Sequence, residues 1–550
     1  MYKVASSRLS LDTRREAIAS AVGGVVDVAV VGGGVVGCGI AVDAASRGLS
    51  VALLERDDFG SGASSRSSKL VHGGLRYLEQ REFRLVREAL HERAVLLENA
   101  PHLVSPVRFL YPVRRRGLDA AYVRGGLWLY DGLAGRGTPL PAARWLGRQH
   151  LRSIAPGLKP SLAGAFEFWD AMVDDARLTL TLARTAASLG ALVASRVEVH
   201  GLRRASGRVS GVRAIDRLTD EELSIRARHV ICAVGAEAEL FQERVGARKL
   251  TRAAPSKGAH ILVPRDRISS GAAVVTRTPD SVLFVLPWNG HWLLGTTDTP
   301  WNQPGTQPRA TSDDARYLLA QANRVLAEPL ELTDVRAGYA GIRPLVDGGD
   351  ARTTRLSREH AVVRSDDGLV VVLGGKLTTY RVMARDAVSA AVPGAAPSAT
   401  RELPLVGAGE PDGASGKLRD GRLLGRYGTL LPEVVAPAQR DLSLLDPIAG
   451  APGYLRAEAL YAVTHEGALD LEDVLARRTR IAIETPDHGL AAAEAIAALI
   501  APVLGWDAPR TEHEFAVSRS RVAGDLQLDM ANSTARRSIS SASSSRVATR

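Results

Sequence analysis

Residues 27–55, DVAVVGGGVVGCGIAVDAASRGLSVALLE, leave little freedom in how the chain can fold. Residues 28–31 form an apolar run suited to a buried parallel strand, and it leads straight into Gly32-x-Gly34-x-x-Gly37, with Gly33 inside the same turn. Gly32 permits the tight turn, Gly34 removes a side chain that would hold the backbone off a pyrophosphate, and Gly37 lets the next helix lie close to the strand. Phosphates would then face a helix N-terminus, where unpaired N–H groups and the dipole favour negative charge. Gly48 is placed to close that helix, residues 51–54 make a second strand, and Glu55 at its end can accept hydrogen bonds from ribose hydroxyls. A carboxylate there repels a 2′-phosphate and disfavours NADP. NAD and FAD both remain open on this pattern.

The 550 residues have ample length for a large core and two or three domains. Apolar content of 45% and charged content of 24% fit a soluble globular protein. The net charge of +10 points to anionic partners: a phosphorylated substrate, an acidic lipid surface or nucleic acid. Nucleic acid is the weakest of these, because the arginines are dispersed and no DNA- or RNA-binding signature occurs. Cys38 and Cys232, both in apolar contexts and without a CxxC, argue against a disulfide framework and a thiolate metal site, and no metal is expected. No signal peptide is read at the N-terminus, and the longest apolar run, 489–506, is broken by Glu494 and Pro502.

A serine-rich segment follows the first unit: SSRSSKLVHGGLRYLE, residues 64–79. Ser64, Ser65, Ser67 and Ser68 can donate to a pyrophosphate without bulk, and Gly73 and Gly74 beside His72 and Arg76 let backbone approach a ligand. This segment closely resembles the flavin-binding loop of the FAD-dependent, quinone-linked glycerol-3-phosphate dehydrogenases, a family within the D-amino-acid-oxidase-like (glutathione-reductase type) flavoproteins. Ala63 departs from a common threonine there. The resemblance implies an α/β FAD-binding Rossmann-like domain, an antiparallel-sheet substrate domain and an α-helical C-terminal domain.

Further along, helical periodicity covers 82–100, and residues 107–135 mix aromatics with arginines, including Arg116, Tyr122, Arg124 and Trp128. That mixture suits either a membrane-interfacial segment or a solvated basic loop beside a core helix, and the resemblance favours the membrane surface. In WDAMVDDARLT, Asp175 is expected to cap a helix closed by Gly190. Strands over 193–234 return to the first domain at HVICAVG, where Gly235 falls near the adenosine side of FAD in the family; Val234, Glu237 and Ala238 depart from its usual Thr and Pro-Trp. KGAHILVP (257–264) carries His260, Asn289-Gly290 reads as a hairpin turn ending in GTTD (295–298), and Ser312 is expected to cap a helix. GYAGIRPL (338–345) contains Arg343. The run 374–381, GGKLTTYR, puts Gly374 and Gly375 between strand and helix; in the family it closes on the flavin pyrimidine edge, with Lys376, Leu377 and Thr378 at the cofactor.

The expected organisation is a polar lead-in (1–26), an oxidoreductase region (27–391), a linker (392–416), a helical domain (417–520) and a Ser/Arg-rich disordered tail (521–550). Within the oxidoreductase region the FAD segments are about 27–105, 165–250 and 355–391, and the substrate segments about 106–164 and 251–354. Glu466, Arg477 and Arg478 of the helical domain are expected to be surface or packing residues.

The reaction implied by the resemblance is oxidation of sn-glycerol 3-phosphate to dihydroxyacetone phosphate, with FAD accepting hydride and a membrane quinone taking the electrons. Such chemistry needs a clamp for a dianion and a base for the hydroxyl proton. Arg76 and Arg343 are the expected phosphate ligands, with Tyr77 and Lys376 beside them, and His260 is the first choice of base over Lys376 or ordered water. The cofactor residues implied are Gly32, Gly33, Gly34, Gly37, Glu55, Ser64, Ser65, Ser68, Lys69, His72, Gly73, Gly74, Gly235 and 374–378. Two alternatives stand beside this: an oxidase using oxygen, and a catalytically silent flavin- or NAD-binding protein docking to membrane or partner. A cytoplasmic protein, peripheral on the inner face of an anionic membrane, is expected, and a homodimer is left open.

Overall fold

The computed structural model describes residues 6–115, 117–135, 138–250, 254–279, 281–345, 360–409 and 421–525. Arg116, residues 410–416 of the expected linker, 417–420 of the expected helix and the tail from 526 lie outside the described residues.

The first sheet forms around the strand Val25–Val31. Its order is His360–Arg364, Val370–Gly374, Glu221–Cys232, Val25–Val31, Val51–Leu54, Leu192–Ala194. All neighbours are parallel except the first pair. Val28 and Val30 point to one face, where Ile40, Leu178, Leu182 and Met383 from three helices cover them. Ala29 and Val31 point to the other, onto Val199, Val212 and Ala214 of a layer of longer strands. A strand buried on both faces has no polar side to show, which is why its sequence reads as a continuous apolar run. The helix Val35–Ser46 follows the turn, and Gly48 beyond it adopts φ +82°, as a C-terminal glycine should.

The second sheet is largely antiparallel, in the order Thr299–Pro300, Ser256–Pro264, His291–Gly295, Val282–Trp288, Ala273–Arg277, Val104–Val113, Gly164–Val173, Leu70–Val71. Ala337–Arg343 pairs with Ser256–Pro264, setting Tyr339 opposite His260 and Arg343 opposite Ser256. The hairpin turn falls on Asn289 and Gly290, both at positive φ (36° and 78°).

One region resolves into two elements, and two expected helix caps move by one residue. The 107–135 region divides into the sheet strand Val104–Val113 and a helix Leu118–Ala134. The cap of the helix Asp175–Ser188 is Asp174, which accepts from the Ala176 and Arg177 N–H groups; Asp175 turns inward as the first helical residue. Thr311, one residue before Ser312, caps the helix Ser312–Ala322 in a capping box with Asp314.

C-terminal helices include Arg456–Thr464, Leu490–Leu504 and Ala508–Asp525. The domain is locked to the two-sheet part of the fold by buried charge: Glu466 takes both guanidinium nitrogens of Arg177 (2.9 and 2.6 Å), and Arg478 grips Asp58 (2.6 and 2.7 Å). Glu466 and Arg478 are therefore packing residues rather than surface residues, at 0% and 1% exposure. Removing one member of such a buried pair costs about 3–5 kcal/mol, because the other is left uncompensated. Among the described residues no helix is long and apolar enough to cross a membrane.

Candidate active site

A cavity of about 700 Å³ runs between the two sheets, within the range of cofactor and substrate sites. Gly32, Gly34, Val35 and Glu55 line it at the parallel sheet; His260 and Arg343 line it from the antiparallel one; Gly374 to Thr378 close it from a third direction.

At the first turn the glycines are required by contact. A Cβ on Gly37 would lie 1.8 Å from the Gly32 carbonyl oxygen, and one on Gly32 would lie 2.7 Å from that of Ala233. Gly37 thus permits helix packing and does not itself line the cavity. Glu55 faces the cavity, but its carboxylate already accepts the N–H groups of Gly33 (2.5 Å) and Asp57 (2.7 Å), and burial lifts its pKa to about 7. Gly33 accordingly points to Glu55 rather than into the cavity.

The serine segment divides in its roles. Ser64 Oγ accepts the Val35 N–H at 2.9 Å, and Ser68 Oγ meets His260 Nε2 at 2.8 Å; both residues line the cavity. Ser65 and Lys69, expected on the cofactor, face away from it. Lys69 is fully buried and paired with Asp175 at 2.8 Å, and Ser65 offers its carbonyl to Lys69 Nζ at 3.3 Å. An ammonium taken out of water needs an anion, and Asp175 is the one within reach. Gly73 is also turned away: its N–H donates to the Tyr130 hydroxyl at 2.8 Å. Tyr130 in turn donates to Asp170, a buried carboxylate paired with Arg93.

His72, Gly74, Arg76 and Tyr77 line the cavity as expected, and so does Gly235. Lys376 Nζ lies 3.8 Å from the centre of the Tyr77 ring. Gly74 makes room for that ring, since a Cβ there would be 2.3 Å from Tyr77 Cδ2. Arg76 is steadied by Ser281 Oγ at 2.5 Å. Thr378 Oγ1 accepts the His72 N–H at 3.2 Å, joining segments 306 residues apart.

His260 is 3% exposed, and its pKa is driven well below the ordinary 6.5 by burial, then by Arg343 and Lys69. It is neutral at physiological pH and able to take a proton. Tyr339 stacks on it, with ring centres 4.9 Å apart. Arg343 is aimed by Thr296 Oγ1 and the Thr297 carbonyl, both at 3.0 Å, with Asp298 at 3.4 Å. Tyr339 and 296–298 join the expected residues around His260 and Arg343. The signal was present in GYAGIRPL, where residues four apart on a strand share a face.

Residues 27–387 match the family model described as FAD dependent oxidoreductase, and 398–511 match the C-terminal domain of alpha-glycerophosphate oxidase. Glycerol-3-phosphate dehydrogenase 2 of Mycobacterium bovis is 48% identical over 518 residues, covering 91% of this chain and 88% of that protein. The mitochondrial glycerol-3-phosphate dehydrogenase of Bos taurus is 36% identical over 532 residues, covering 90% of this chain and 72% of that one. The chain belongs to the FAD-dependent glycerol-3-phosphate dehydrogenase family. The FAD complex of the Bacillus halodurans glycerol-3-phosphate dehydrogenase matches the fold with a TM-score of 0.75 at 28% identity, over 94% of this chain and 97% of that one.

The cavity of this family member fits FAD on its own geometry. Gly34 leaves a gap that a Cβ would narrow to 3.2 Å against Ser64 Oγ, at the N-terminus of the helix Val35–Ser46, where the N-cap residue supplies no side chain. Gly374 and Gly375, at φ +82° and +80°, let the backbone turn into the cavity where a side-chain-bearing residue would be strained. Gly32, Gly34, Glu55 and Ser64 would hold the nucleotide, and 374–378 the ring system.

Proposed function

We propose that this chain oxidises sn-glycerol 3-phosphate to dihydroxyacetone phosphate and passes the electrons to a membrane quinone. The observation that carries this reading is the meeting of a neutral, buried His260 with the cations Arg76, Arg343 and Lys376 around the cavity that bears the nucleotide fingerprint. The names of the relatives support the same substrate.

FAD, when bound, would supply the acceptor for hydride from the carbinol carbon. Arg343, with its guanidinium already oriented by Thr296 and Thr297, and Arg76, held by Ser281, bind the phosphate in a geometry that a lysine does not reproduce. Lys376, against the Tyr77 ring, adds positive charge to the cavity wall. His260 takes the hydroxyl proton as the carbinol C–H bond breaks, and the burial that keeps it neutral beforehand, with Arg343 and Lys69 adding to it, favours release of that proton afterwards.

Attachment to an anionic membrane surface is supported by the helix Leu118–Ala134, which exposes Leu118 (90%), Tyr122 (58%) and Trp128 (78%) beside Arg124. Aromatic and arginine side chains on one exposed helix suit the headgroup boundary. An oxidase is the second reading, favoured by the match of 398–511 to a domain described from alpha-glycerophosphate oxidase.

The deciding experiment is anaerobic addition of glycerol 3-phosphate to the purified protein while the flavin band is followed. Bleaching is expected, and its absence overturns the proposal. Reoxidation by a quinone analogue without oxygen separates dehydrogenase from oxidase, which needs oxygen and releases peroxide.

A further inference from the structure

The helical C-terminal domain reaches toward the site through Arg480, which is 3% exposed. Its Nη2 bonds Asp174 Oδ1 and Asp175 Oδ1, both at 2.5 Å, and its Nη1 donates to the Ser65 carbonyl at 3.3 Å. Asp175 passes this contact on. Its Oδ1 also accepts Lys69 Nζ, and its Oδ2 accepts the Ser67 N–H at 2.8 Å. On the other side of Ser67, its carbonyl accepts the Tyr339 hydroxyl at 2.8 Å. Ser67 is thus gripped at its N–H and its C=O, one residue before Ser68, whose Oγ meets His260 Nε2.

Neither Arg480 nor Tyr339 lines the cavity, so neither is placed to touch substrate or cofactor. Their arrangement is also more than docking requires. Apolar side chains of similar volume often replace a buried ion cluster without loss of stability. A directional hydrogen-bonded network, by contrast, fixes the atoms it holds, and a misplacement of about 1 Å at a reacting group can cost roughly a hundredfold in rate. The links through Asp175 and Tyr339 converge on the Ser67 backbone, next to Ser68, and Tyr339 additionally stacks on the His260 ring. The groups facing His260 are Arg343 and Tyr339 from one neighbouring strand, Ser68 and Lys69 from the serine segment, and the uncharged Gly295 from the other strand.

We propose that Arg480 is a positioning residue: through Asp175 it sets residues 67–69, and thereby the orientation of His260 toward the substrate hydroxyl. The helical domain is in this sense part of the active-site scaffold. The proposal rests on the reading of His260 as the base.

The test uses the FAD-loaded full chain and compares Arg480→Lys, which keeps the charge but lacks a planar fork to span two carboxylates, with Tyr339→Phe, which removes the other grip on Ser67. The rate of flavin bleaching by glycerol 3-phosphate is measured per bound flavin, together with KM, the solvent deuterium isotope effect and Tm. Both variants are expected to lose about tenfold or more in bleaching rate, with KM within about twofold and a larger isotope effect than the parent. Arg196→Lys, which weakens a different interdomain pair with Asp470 and Asp473, is expected to lower Tm alone. Arg480→Lys and Tyr339→Phe proteins that behave like Arg196→Lys, with the parent's rate and isotope effect, overturn the proposal. If Arg480→Lys does not fold, Tyr339→Phe decides by the same criteria. A His260→Gln protein that bleaches at the parent's rate overturns the base reading itself, and with it the positioning role; a slow His260→Gln beside unaffected Arg480 and Tyr339 variants overturns the positioning role only.

Discussion

His260 Nε2 lies 2.8 Å from Ser68 Oγ, a contact between residues 192 apart that brings the serine segment onto the strand Ser256–Pro264 of the antiparallel sheet. Because that imidazole is buried beside Arg343 and Lys69, it holds no proton at neutral pH. His260→Gln is expected to lower kcat by about 10²–10⁴, the usual contribution of a positioned base, with flavin content unchanged. Steady-state kinetics per bound flavin check this.

The same burial has a pH consequence. The folded-state pKa of His260 lies below its unfolded value of about 6.5, so between the two the unfolded chain binds more protons and stability rises with pH. This contribution is complete above about 6.5 and is lost as the pH falls through the folded value. Comparing the Tm of parent and His260→Gln between acid and neutral pH should show a shallower acid slope in the variant.

Glu55 predicts the opposite slope. Its pKa is raised from 4.5 to about 7 by burial, against the Gly33 and Asp57 N–H groups that lower it. The folded state therefore binds more protons than the unfolded state in that window, and stability falls as pH rises through it. In flavin-free protein, Glu55→Gln should be more stable than the parent at pH above about 7, measured by urea unfolding.

Arg343→Ala is expected to raise KM for glycerol 3-phosphate by about tenfold to a hundredfold, corresponding to the roughly 1.5–3 kcal/mol of a hydrogen bond to a charged group. Arg343→Lys should recover little, because the fork whose Nη2 meets Thr296 and Thr297 while Nη1 meets Ser256 is lost. An Arg343→Ala protein with the parent's KM would remove this residue from the phosphate clamp.

Trp128→Glu is expected to weaken sedimentation with anionic vesicles by about tenfold or more, since the exposed indole accounts for part of the apolar area available for insertion and the new carboxylate repels the surface. Turnover with a soluble electron acceptor should be unchanged. Equal vesicle binding by parent and variant would exclude this helix as the attachment face.

Gly37→Ala should prevent flavin uptake, because its Cβ would fall 1.8 Å from the Gly32 carbonyl oxygen and push the helix off the strand. The purified variant should be colourless, with a lowered Tm.

The glycine spacing, the hairpin at Asn289-Gly290 and the helix end at Gly48 were all legible, because a turn is dictated by backbone freedom within a few residues. Cap positions slipped by one residue at Asp174 and Thr311, where adjacent polar residues compete for the same N–H groups. The place of Lys69 in the serine segment suggests a cofactor ligand, yet its partner Asp175 lies 106 residues on. Arg478 belongs with Asp58, 420 residues away, so its burial could not be read from its own polar surroundings.

For residues 27–55 the sequence by itself determined strand, turn, helix and terminal acid, since hydrophobic period and glycine geometry act over short distances. Only the tertiary structure decided which serines face the cavity, which cations are taken up by buried carboxylates, and that Tyr339, Ser68 and Arg480 converge on the surroundings of His260. The partner of a charge is whichever opposite charge the packed fold brings within reach, and that is settled by contacts between segments hundreds of residues apart.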